Sequence, residues 1–106
     1  MEEFDIKKGF GAKIQGDRLG DLMKRIFGNV DRSGEWFESR FGAMQPIRAI
    51  MRSNTQLAVE IVTVKIPDDQ VLDSMRKRNE FLGEATGFDS KTRLKRLKEK
   101  AKDGKL

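Results

Sequence analysis

Lys91, Lys95, Lys98 and Lys102 recur at i, i+4, i+7 and i+11, a spacing that lines them along one side of a helix. A row of ammonium groups suits one kind of chemistry. It neutralises phosphates and releases their counterions, with an affinity that falls steeply as salt rises. Arg93, Arg96 and Lys100 add cations to another face of the same segment. A second capable set lies mid-chain, where Trp36, Glu38 and Arg40 alternate with Phe37, Ser39 and Phe41, and Arg48, Ile50 and Arg52 alternate with apolar residues further on. An indole and three guanidiniums on one sheet face can stack bases and contact phosphates. Each set also has a plainer reading. The helix cations can be solubilising charge, favoured near the negative end of the helix dipole. Arg40, Arg48 and Arg52 can be cross-strand partners of Glu38 and Glu60. Trp36, Ile50, Val62 and Val64 can be a patch covered by a second copy.

Catalytic chemistry is poorly supplied. The chain contains no His, Cys or Tyr. Ser–His and Cys–His nucleophile systems are therefore impossible within it, as are zinc sites of Cys and His and any disulfide. Asp68, Asp69 and Asp73 form the one acidic cluster with hard-metal character. Acidic residues in a first helical turn more simply satisfy free N–H groups and the positive dipole end. Gly9-Phe10-Gly11 is a fragment of a phosphate-loop pattern, but the next helix signal comes only at Asp17, so it reads as a bend. The expectation is a chain that binds without transforming, and that needs no cofactor and no metal.

The elements that must present these residues follow from periodicity. Glu2–Lys8 alternates with Phe4 and Ile6 on one side, the pattern of a half-buried strand. Leu19, Leu22, Met23, Ile26 and Phe27 make one helical face between a capping Asp17 and a stop at Gly28. Asn29–Arg32 is a candidate first arm of a hairpin whose second arm is Glu35–Phe41. Pro46–Arg52 and Gln56–Lys65 are further strands, the latter apolar on both faces and so expected inside the sheet. Asp68 opens a helix with Val71, Leu72, Met75 and Leu82 as its stripe and Gly83 as its end. A last helix from Asp89 or Ser90 carries Leu94, Leu97 and Ala101, with Phe88 packing back as a staple toward Leu94 and residues 103–106 expected to fray.

This order, β-α-β-β-β-β-α-α with short turns, predicts an α+β two-layer sandwich: an antiparallel sheet of four to five strands with helices on one face. The layout matches that of TATA-binding-protein-like folds, an analogy of element order that carries no function. The 106 residues suit a single domain, 1–106, with 89–106 as its basic C-terminal helix and tail. The whole net charge of +5 falls within residues 87–106. Apolar residues make up 37% of the chain and charged residues 37%, so a thin core under a heavily charged surface is expected. No run is apolar enough for a membrane helix and the start, Met1-Glu2-Glu3-Phe4-Asp5, is unlike a signal peptide. The cytoplasm is the expected compartment.

Arg78-Asn79-Glu80-Phe81-Leu82, then Thr86-Gly87-Phe88 and Lys91-Thr92-Arg93, resembles the ending of a small euryarchaeal family of unknown function. The resemblance implies an archaeal source and the same strand–helix–sheet–helix–basic-tail layout. It supplies no activity and no functional residues. The functional expectation therefore rests on charge: a nucleic-acid-binding module using Trp36, Arg40, Arg48, Arg52, Lys91, Arg93, Lys95, Arg96, Lys98 and Lys100, with a homodimer or another protein partner on the sheet face as the alternative. A carboxylate- or lysine-dependent enzyme comes third.

Overall fold

A computed structural model describes residues 2–102, with side chains for residues 2–99. Its elements are β1 (Glu2–Asp5), α1 (Gly11–Ile14), α2 (Arg18–Phe27), β2 (Asp31–Ser33), β3 (Trp36–Phe41), β4 (Met44–Ser53), β5 (Gln56–Thr63), α3 (Asp68–Thr86) and α4 (Ser90–Lys102). The five strands form one antiparallel sheet in the order β1-β5-β4-β3-β2. The first strand thus pairs with the last, and β5 lies between β1 and β4. That position explains its two apolar faces: Leu57 and Val59 are buried on one, Ala58 on the other. The α+β sandwich expected from element order is the architecture observed.

Strand alternation sorts the residues cleanly. Phe4, Phe37, Ile47, Ala49, Leu57 and Val59 point inward and meet Leu19, Leu22, Met23, Ile26 and Phe27 of α2 in one core. Burying each such large side chain stabilises the fold by roughly 1.5–3 kcal/mol. Gly20 lets α2 settle on β3, since a Cβ there would lie 2.5 Å from the Phe37 ring. Pro46, which donates no hydrogen bond, falls at the register irregularity between Met44 and Ile47.

Several local expectations are corrected. The stretch around Gly9 and Gly11 is more than a bend: α1 is a one-turn helix that delivers Ile14 to the core. Asp17 stands at the N-cap of α2 but makes no side-chain cap bond; its carboxylate faces Arg32 at 3.4 Å instead. Pro67, not Asp68, occupies the N-cap of α3, and Asp68 and Asp69 lie in the first turn. Gly83 does not end α3. The helix continues to Thr86, and Gly87 at φ 78° closes it through a bond from its N–H to the Gly83 carbonyl.

The two C-terminal helices behave differently along their lengths. Phe81, Leu82, Ala85 and Thr86 of α3 are buried. Its first half overhangs the sheet, so Leu72 and Met75 of the expected stripe are 57% and 55% exposed. Ser74 tethers that half: its Oγ accepts from the Ala43 N–H at 2.9 Å and donates to the Gln70 carbonyl at 2.9 Å. α4 lies along β1 and shields the edge of the sheet. The expected fraying of 103–106 lies outside the described residues.

Candidate nucleic-acid interface

The basic helix α4 is positioned from its N-terminal end and along its inner face. Asp89 caps it, its Oδ1 accepting the Thr92 N–H at 2.8 Å. That bond, with the nearby charges of Arg93 and Lys91 in support, holds the Asp89 carboxyl below its ordinary range. Before the cap, Phe88 is half-buried and the Arg96 guanidinium stacks over its ring, 4.3 Å from the centroid. Phe88 therefore meets Arg96, whereas the expected staple partner Leu94 is 54% exposed.

The inner face of α4 is built around a cation. Arg93 is only 6% exposed. It donates to the Phe88 carbonyl at 2.5 Å and to the Asn79 Oδ1 at 3.3 Å, bridging the α3–α4 connection. Burial lowers the basicity of its guanidinium, and the neighbouring Arg78 adds to that effect. Arg96 reaches Asp5 of β1 at 3.1 Å, and Leu97 packs against the core. The docked stripe is thus Arg93, Arg96 and Leu97, rotated from the Leu94–Leu97–Ala101 line expected from apolar periodicity. The side chains of Lys100, Ala101 and Lys102 lie outside the described residues.

The rotation leaves Lys91, Lys95 and Lys98 on the opposite side. At about 100° per residue they form one line, with steps of about 6 and 4.5 Å along the axis. All three are exposed, and none has an ion-pair partner among the described residues. Three lysines that stood outside the candidate set lie near the same end of the helix. The Lys7 N–H bonds the Thr86 carbonyl at 2.7 Å, and the Phe10 ring packs on Gly87. These contacts bring Lys7, Lys8 and Lys13 to the α3–α4 corner. Lys13 sits 4.2 Å from the centroid of the Phe10 ring. The sequence signal was present, three lysines around a Gly-Phe-Gly bend, but only packing joins it to a helix some eighty positions away.

The outward sheet face has a different character. Trp36 and Arg52 are brought together, with the guanidinium 5.5 Å from the ring centroid. Arg40 and Arg48 both turn to the half-buried Glu38, at 3.5 and 3.8 Å. Register aligns Asp31, Glu38, Arg48 and Glu60 in one row across the sheet. Glu3 and Asp5 of β1 share that face. With Arg96 of α4 seated on Asp5, the carboxylates and guanidiniums of this face nearly cancel, so it offers a phosphate backbone little attraction. The arginines singled out mid-chain and the cations of α4 do not form one surface.

Grooves of about 470 and 340 Å³ flank α1 and α2; within their linings Arg25 pairs with Glu84 at 2.8 Å and Arg32 with Asp17 at 3.4 Å. Among the described residues, no group of three or more His, Cys, Asp or Glu side chains is arranged to hold a metal ion. No helix among them is long and apolar enough to cross a membrane.

A family model described as "Domain of unknown function (DUF5611)" matches residues 1–99, and the chain belongs to that family. No curated protein and no solved structure matches it.

Proposed function

We propose that this family member is a non-enzymatic, cytoplasmic module that binds nucleic acid through the lysine line of α4, extended by Lys7, Lys8 and Lys13 at the α3–α4 corner. An archaeal source belongs to the same reading, on the resemblance at residues 78–93. The observation that carries the proposal is the division of labour within α4. Arg93 and Arg96 are spent on holding the helix to β1 and α3, so the helix is fixed while Lys91, Lys95 and Lys98 keep their charge for a partner. A rigid line of uncompensated cations attracts a phosphate backbone without reading its sequence. The interface is therefore sequence-tolerant and salt-sensitive. The near-cancelled charge of the sheet face argues against a base-stacking platform at Trp36, so base contacts contribute little.

The test is fluorescence anisotropy with labelled single-stranded RNA, single-stranded DNA and duplex DNA at low salt. Combining Lys91→Glu, Lys95→Glu and Lys98→Glu should weaken binding more than about tenfold, because three phosphate contacts become repulsive. Arg40→Glu with Arg52→Glu should change it by less than about threefold, since those groups are already engaged. Absence of binding to all three probes, or a larger loss from the sheet-face pair, contradicts the reading.

A further inference from the structure

The overhanging half of α3 presents an apolar face that nothing among the described residues covers. Leu72 and Met75 lie one turn apart and are each more than half exposed. Beside them the space between α3 and the sheet opens as a groove of about 290 Å³, whose apolar lining is Ala43, Met44, Ile61, Val71 and Met75. A lone exposed leucine needs no explanation, but Leu72 stands one turn from Met75, which lines the groove, so the exposed apolar surface runs on from one to the other.

The charges around the patch point to its occupant. Asp68, Leu72 and Arg76 stand at i−4, i and i+4, so acid, leucine and base follow one another along a single line of the helix. Asp68 has no ion-pair partner among the described residues, and Arg76 has only a long 3.9 Å contact with the neighbouring Asp73. When two copies of this helix cross antiparallel at Leu72, each Asp68 meets the partner's Arg76, and the pairing occurs twice. Such self-complementarity under a two-fold axis is what an isologous contact requires. A dissimilar partner would call for no such symmetry about Leu72.

We propose that α3 is a homodimerisation helix, with two copies packed antiparallel about Leu72, Met75 of each copy flanking the crossing, and Asp68 paired with the partner's Arg76 at the rim. The leucine and methionine supply the affinity, and the rim pairs fix register and exclude the parallel arrangement. The surface lies on a different element from the α4 lysines, so the two proposals stand or fall separately.

Sedimentation of the full chain from about 1 to about 100 μM, a range bracketing modest interfaces, should show a reversible monomer–dimer equilibrium. Leu72→Asp should give a monomer throughout. Asp68→Arg and Arg76→Asp should each raise the dimer Kd about tenfold, and the two together should restore it to within about threefold. Circular dichroism guards against a folding defect, and if Leu72→Asp were unfolded, Leu72→Gln should loosen the dimer instead. A chain that stays monomeric overturns the proposal and leaves the face to another protein. A dimer that survives Leu72→Asp, or charge reversals that fail to rescue one another, overturns it equally.

Discussion

Arg93 looks like one more base in a tail rich in them, yet it spends its charge inside the protein. Its partners are the carbonyl of Phe88 and the side chain of Asn79. Replacing it with Met keeps a long side chain but leaves that carbonyl short of a charged donor. Arg93→Met should therefore lower stability to urea by about 2 kcal/mol, whereas Lys91→Met should cost less than about 0.5 kcal/mol. Equal effects from the two would contradict the assignment of Arg93 to structure and Lys91 to the surface. Asp89 offers a pH test at the same scale. Its folded-state pKa is lowered, chiefly by the Thr92 backbone N–H, below the unfolded value near about 3.9. The stability it contributes is therefore complete above the unfolded pKa and lost as pH falls through the lowered one. In Asp89→Asn that part of the acid sensitivity should disappear, as read from urea midpoints between about pH 2 and 6; an unchanged pH profile would contradict it.

Helix ends separate two kinds of glycine. Gly28 and Gly87 both close helices at positive φ. A Cβ on Gly28 would meet nothing within 4 Å, while one on Gly87 would lie 2.8 Å from the Phe10 ring. Gly28→Ala should cost only the left-handed strain, about 1 kcal/mol. Gly87→Ala should cost clearly more and loosen the α1 and α4 corner together, seen as faster amide exchange around Phe10 and Thr92. Equal costs would mean that Phe10 does not pin that corner. The same scale explains what could be read from sequence. The boundaries of α2 were legible because its apolar face is packed along its whole length, and Gly28 marks its end. In α3 the apolar spacing ran on through Leu72 and Met75, which the overhang leaves exposed, and Gly83 mimicked a stop that Gly87 supplies. The docked side of α4 was hidden because a buried arginine carries no apolar signal. Charge alone showed that α4 was the basic element. It did not show which of its cations were free, since that depends on Asp5, Asn79 and Phe88, which lie outside the helix.

For the molecule as a whole, the described cations of α4 lie along the β1 edge of the sheet. Residues 87–106 carry the whole net charge of the sequence, and packing brings Lys7, Lys8 and Lys13 to the α3–α4 corner. The sheet face, by contrast, is a salt-bridged surface on which Glu38 ties down Arg40 and Arg48. Alternation correctly assigned these residues to the outward face, but the neutralisation depends on strand register, which joins Asp31, Glu38, Arg48 and Glu60 across four strands. If α3 pairs two copies, each dimer carries two lysine edges, and a long nucleic acid that spans both gains avidity over a short one. The most direct test of the central claim is the salt dependence of nucleic-acid affinity, compared between the native chain and the combined Lys91→Gln, Lys95→Gln and Lys98→Gln variant. The log–log slope should be shallower by about 2–3 in the variant, one increment for each lost phosphate contact. An identical slope in the two proteins would contradict it.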